Sequence, residues 1–192
     1  MMFESEFIKG LFQNAIFFLD EAISYINRGV SDRRNMILAI INMQISMELA
    51  LKSSLATNFG LRTILVEKQA NLSEKELQRL YEENNLKIKE YDSLKNFLKT
   101  PQGNIEAYNF EKPQYKYMER FQKYRNRILH SSYVFSNDEI QQMESDLIYV
   151  LIHILGVILS DRTDEEYRTF VQEYLNSRES VSYTHLTLPT IA

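Results

Sequence analysis

The chain has no cysteine, so neither a disulfide frame nor a thiolate metal site is open to it. Proline is rare, with three residues, and glycine is scarcely commoner, with five. So few turn formers in 192 residues disfavour a strand-and-turn architecture and favour long helices. No stretch shows sustained two-residue alternation, so no sheet is expected. The longest apolar run, 147–159, is too short for a bilayer span and contains His153, so no membrane association is expected. The opening Met1-Met2-Phe3-Glu4-Ser5-Glu6 is acidic where a signal peptide is basic, which points to a cytoplasmic protein. Also missing are a glycine-rich phosphate loop, a His-Glu-x-x-His and a Gly-x-Ser-x-Gly. Kinase, zincin and serine-hydrolase chemistry therefore find no support. No cofactor and no metal site are expected.

What is present suits one soluble domain with a real core: 44% apolar residues, 25% charged, and a net charge of −4. A nucleic-acid contact on such a chain has to come from a local basic patch. Phe7, Ile8, Leu11, Phe12, Ala15, Ile16, Leu19, Ala22, Ile23 and Ile26 recur at three- and four-residue steps, the signature of an amphipathic helix. Gly29 is its natural stop and Ser31 the expected cap of the next helix. Residues 36–55 are apolar on most sides, which predicts a central helix ended by Gly60. Residues 61–112 are more polar and are expected as an insert on the outside. Within them Ser73-x-x-Glu76 predicts a capped short helix, Asn84-Asn85 its end, 90–99 a further helix, and 101–113 a loop. A helix is expected over 114–129. Ser136-x-x-Glu139 opens another that reaches 160, and Thr163-x-x-Glu166 a last one to about 176. The fold class expected is all-α, an up-down bundle. The uncharged tail 181–192 continues no upstream pattern. It resembles the translation of a transposase sequencing adapter and is set aside.

One segment suggests chemistry: Tyr124-Arg125-Asn126-Arg127-Ile128-Leu129-His130. A fixed cation near a group that titrates close to neutrality is a workable pair for cutting RNA without metal. Spacing alone decides little, since eleven arginines and three histidines produce such a gap by chance about half the time. The context adds more. Lys116, Arg120, Lys123 and Arg127 follow steps of four, three and four, which puts them on one helix face. Tyr117, Phe121, Tyr124 and Ile128 repeat those steps one residue later. Segment 111–130 carries six basic and two acidic residues within an acidic chain. A basic stripe beside aromatics suits a phosphate backbone with exposed bases, although an ordinary amphipathic helix with a solvated basic side has the same pattern. On a straight helix Arg125 and His130 lie about 140° apart. They converge only if the helix ends before His130 or if two subunits contribute. Glu48 either reaches Arg125 or pairs with Lys52 four residues on. His153 is expected as a satisfied core or interface histidine, because no second ligand stands at metal-binding spacing.

Arg125-Asn126-x-x-x-His130, ending one helix just before another long apolar one, resembles the motif of the HEPN superfamily. In those domains arginine is followed after four to six residues by histidine, often with a polar residue directly after the arginine. Met47-Glu48-Leu49-Ala50-Leu51-Lys52 resembles the Glu-apolar-x-x-Lys pattern of an early helix in many HEPN domains. The resemblance covers roughly 5–58 and 114–160. It implies a single domain over 1–180, a HEPN-like four-helix bundle with 61–112 as an insert and one extra C-terminal helix. It also implies a homodimer in which two motifs face one cleft. Many such proteins are RNases of toxin–antitoxin, abortive-infection or other anti-phage systems. Arg125, His130 and Asn126 then stand as catalytic candidates, and Lys116, Arg120, Lys123 and Arg127 as RNA contacts. Glu48 and Tyr133 stand as supports. The implied partners are RNA and an antitoxin or nucleotidyltransferase. In the subgroup whose tyrosine is modified by such a transferase, the tyrosine follows the histidine by two residues. Here that position is Ser132, with Tyr133 one further on. A non-catalytic RNA-, nucleotide- or protein-binding helical module is the competing expectation.

Overall fold

The computed structural model describes residues 2–108, 110–130 and 135–160. Tyr133, the expected helix over 163–176 and the tail 181–192 lie outside the described residues. Helix α1 (Met2–Asn27) places Leu11, Phe12, Ala15, Ile16, Leu19, Ala22 and Ile23 in the core. Gly29, at φ 99°, ends it by turning the chain through a backbone region open to glycine, and its N–H reaches the Ile26 carbonyl at 3.0 Å. The cap of α2 (Arg33–Phe59) is Asp32, not Ser31. The Asp32 carboxylate accepts the Arg34 N–H at 2.8 Å, and its extended backbone directly precedes the first helical residue.

Helices α1 and α2 form an antiparallel pair. Ser46 Oγ donates to the Ala15 carbonyl at 2.8 Å and Ser53 Oγ to the Ile8 carbonyl at 3.2 Å. Small side chains at Ala15, Ala22, Ala39, Ser46, Ala50 and Ser53 allow this close approach, and the two hydroxyls find acceptors on the neighbouring backbone. Helix α2 is central, touching α1 and most of the later elements.

The middle of the chain consists of short pieces. A 3-10 turn (Leu61–Ile64) is followed by α3 (Glu67–Ala70), α4 (Glu74–Glu82), α5 (Tyr91–Leu98) and a second 3-10 turn (Glu106–Tyr108). The Ser73–Glu76 capping box forms as expected, and Asn84, at φ 55°, ends that stretch. An antiparallel bridge between Leu65 and Ile88 is the one strand-like contact among the described residues. This segment does more than lie on the outside. Leu61, Ile64, Leu65, Leu77, Tyr91, Leu94 and Leu98 are buried in the common core, and the Tyr108 and Ser54 hydroxyls hydrogen bond there. Its polar average hides the pattern, because each short helix buries one side and exposes the other. Gly103 is required by contact: a Cβ there would run into the Phe97 carbonyl oxygen.

Helix α6 (Lys112–His130) and α7 (Asn137–Val150) form the second antiparallel pair. The Ser136–Glu139 capping box opens α7, which passes into a π turn (Leu151–Leu155) and α8 (Gly156–Ser160). The fold of the described residues is all-α. Two helical stretches, Arg33–Phe59 and Asn137–Leu159, are long and apolar enough to cross a membrane by composition. In the second, the apolar run 147–159 is too short alone, but the helical rod expected from Ser136 to 160 forms and is long enough as a whole. Each also buries part of its surface inside the bundle, including Gln44, Ser46 and Asp146.

Candidate nucleic-acid interface

Helix α6 starts with its own half-box. The Glu111 N–H donates to Gln114 Oε1 at 3.1 Å, and Pro113 falls in the first turn, where no N–H is needed. Met118, Phe121 and Tyr124 form its buried edge. Beside them lies a polar knot that fastens α6 to α7. Arg120 Nη1 donates to both oxygens of the fully buried Asp146 at 2.9 Å. Tyr124 Oη donates to Asp146 Oδ2 and Gln142 Nε2 to Oδ1, each at 2.8 Å. Burial, then the bond to Asp146, raises the Tyr124 pKa. Burial alone would lower that of Arg120, but hydrogen bonding to Asp146 and its charge outweigh this and raise it. On another side of α6, Lys95 is buried between Gln122 Oε1 at 2.7 Å and Asp92 Oδ1 at 2.8 Å, which fastens α5 to α6. Hydrogen bonds from Lys95 and then Gln122 hold the Asp92 carboxyl below its usual pKa.

The expected basic stripe therefore divides. Arg120 serves Asp146. Arg127 Nη2 pairs with Glu139 Oε1 at 2.9 Å, and its guanidinium lies 5.0 Å over the Phe135 ring. Lys116 and Lys123 are exposed. Among the motif residues, Asn126 and His130 are exposed and Arg125 is half-buried. Arg125 Nη1 donates to Asn126 Oδ1 at 3.0 Å, so Asn126 orients the arginine here. Glu48 pairs with Lys52 at 2.6 Å, as the local alternative anticipated.

Helical geometry sorts these side chains further. Helix α6 runs through His130, so the route in which it stops short of the histidine is closed. Within one chain Arg125 and His130 then project about 140° apart. Lys116, Lys123 and His130 stand at seven-residue steps, which drift by only about 20° per step around a helix. All three are exposed. The histidine thus extends a line of lysines, and Arg125 lies round the helix toward the buried edge.

Sequence reasoning missed a ring stack at the other end of the α6–α7 pair. The rings of Tyr117 and Tyr149 are parallel within 13°, with centroids 3.7 Å apart. His153 lies 4.6 Å from Tyr149, and the Arg120 guanidinium lies 5.0 Å over Tyr117. His153 is exposed, so the core placement expected for it does not hold. The available signal was the four-residue step from Tyr149 to His153. Its pairing with Tyr117 needed the helix–helix alignment. Among the described residues no three His, Asp or Glu side chains gather as a cation site. No family model, curated protein or solved structure matches the chain.

Proposed function

We propose that the protein is an endoribonuclease of HEPN type that acts as a homodimer in the cytoplasm. It would cut single-stranded RNA without a metal ion, in a toxin or anti-phage role, restrained by an antitoxin or nucleotidyltransferase. The observation that carries this reading is the exposed line Lys116, Lys123 and His130, on the helix that also holds the Arg125–Asn126 pair. Exposed lysines in register along a helix suit a phosphate backbone, and the line ends on an imidazole, a group able to take or give a proton.

In one chain the arginine and histidine diverge, so the site is built across a twofold axis. There Arg125 of each copy grips the scissile phosphate, and its guanidinium offsets the charge of the pentacoordinate transition state. One His130 takes the proton from the ribose 2′-OH as O2′ bonds to phosphorus. The His130 of the other copy gives a proton to O5′ as the P–O5′ bond breaks. The products are a 2′,3′-cyclic phosphate and a 5′-OH, and DNA, lacking the 2′-OH, resists. Asn126 holds the Arg125 guanidinium from the side.

The test is incubation with RNA in EDTA. Cleavage is expected to persist with chelator and to fall about 10²- to 10⁴-fold in Arg125→Ala and in His130→Ala. Loss of cleavage on chelation would contradict the route. A second reading, a non-catalytic RNA-binding module, draws on the same alignment of His130 with the lysines and away from Arg125. It predicts RNA binding by the wild-type protein and both variants, with no cleavage by any of them.

A further inference from the structure

The ring stack at the start of α6 has a fixed layer order. A parallel ring 3.7 Å from Tyr149 fills one of its faces, so His153, with its ring tilted by 45° and its centroid 4.6 Å away, lies over the other. By the same argument the Arg120 guanidinium covers the face of Tyr117 that points away from Tyr149. The layers therefore run Arg120, Tyr117, Tyr149, His153. One end is closed by a guanidinium held by buried Asp146. The other end is an exposed imidazole.

The backbone sets this end outward. The Gly156 N–H reaches back five residues to the Leu151 carbonyl, widening the helix into a π turn. That turn leaves Ile152 (57% exposed) and His153 at the surface while Ile154 and Leu155 stay buried. An exposed apolar residue and an exposed ring that caps a rigid aromatic column form a preorganised platform for a further flat ring. The adjoining stretch of α6 carries the exposed cations Lys116 and Lys123.

We propose that the outer face of His153 is a nucleobase-stacking subsite for single-stranded RNA. One base stacks there while the backbone follows Lys116 and Lys123 toward His130. This deepens the nuclease reading and rests on it for the identity of the ligand. Tyr117 and His130 are thirteen residues apart on α6, so the strand runs about 20 Å along this helix between the ring stack and His130. A duplex keeps its bases stacked on each other, so the subsite selects unpaired RNA.

Binding of a fluorescein-labelled 2′-O-methyl adenosine 12-mer, which resists cleavage through O2′, is measured by anisotropy at several salt concentrations. His153→Ala, at an exposed position, is expected to fold as the wild type does by circular dichroism. It should weaken binding about 5- to 100-fold without changing the salt slope. His153→Phe should retain the affinity. An abasic 12-mer should bind the wild type weakly and His153→Ala no worse. Equal affinity of wild type and His153→Ala, or equal binding of abasic and adenosine strands, overturns the subsite and leaves RNA binding standing. A wild-type protein that binds neither strand at low salt overturns the subsite and the RNA reading together. In a chain without tryptophan, His153→Trp adds a direct reading: its fluorescence should be quenched by the adenosine 12-mer and not by the abasic one.

Discussion

Asp146 has no solvent exposure and accepts hydrogen bonds from Arg120, Tyr124 and Gln142. The Tyr91 hydroxyl is buried too, near Gln44 Oε1, yet neither atom makes a hydrogen bond of good geometry. The two phenols should therefore respond in opposite ways to loss of the hydroxyl. Tyr124→Phe removes one donor from a buried carboxylate and should cost about 1 kcal/mol or more at neutral pH. Tyr91→Phe removes an unsatisfied buried group and should be neutral or stabilising. Both phenols share an alkaline signature, because burial raises both above the ordinary tyrosine value. In the unfolded chain they lose their protons near about pH 10, whereas in the fold they keep them to higher pH. Their contribution is complete below that value and declines as pH rises through the folded pKa. Thermal melts from neutral to alkaline pH should show a shallower loss in each Phe variant than in the wild type. A Tyr124→Phe melt identical to wild type at pH 7 would mean the Tyr124 hydroxyl adds no stability to the knot.

At the scale of elements, Glu139 joins two roles. Its carboxylate accepts the Ser136 N–H at 2.9 Å, closing the α7 cap, and it also pairs with Arg127 near the end of α6. The start of one helix is thereby held to the last turn of the other, which carries His130 and directly follows Arg125 and Asn126. Ser136→Ala should cost about 1 kcal/mol, the ordinary worth of a cap. Glu139→Ala removes half the cap and the partner of Arg127 together, so urea denaturation should show the larger loss. An equal or smaller loss would show that the pair is solvated and adds nothing. The division of the basic stripe belongs to this scale as well. Composition treats four cations alike, but α7 presents Asp146 and Glu139 to two of them and leaves the two lysines outward.

At the scale of the whole molecule, the divergence of Arg125 and His130 makes the nuclease reading a statement about assembly. A site completed across a twofold axis should survive redistribution of its parts. Arg125→Ala and His130→Ala, each inactive alone, should regain measurable cleavage when mixed and allowed to exchange subunits. The mixed dimer still holds one arginine and one histidine at its cleft. Recovery with the double variant as partner is not expected. No recovery from the two singles, in a mixture shown to contain the mixed dimer, would rule out a shared cleft that works with one arginine and one histidine.

Much of the fold was legible in the chain. Three-and-four spacing located α1, the all-round apolar pattern marked α2 as central, and Ser73–Glu76 and Ser136–Glu139 marked two helix starts. These features are local, fixed by backbone hydrogen bonding and side-chain period within one or two turns, so a sequence can display them. The choice of Asp32 over Ser31 was also local, set by where the helix begins, whereas the burial of the polar middle segment turned on which neighbour lay opposite. The residue types of the candidate site were equally readable, but their grouping was not. Asp146 captures Arg120, Glu139 captures Arg127, and Tyr117 meets Tyr149 only because α6 and α7 pack antiparallel in one register. A sequence specifies which groups a helix carries on each face. Which of them are neutralised, stacked or left to solvent depends on residues brought close only by folding, because ion pairs and ring contacts act over a few ångströms of space and not along the chain.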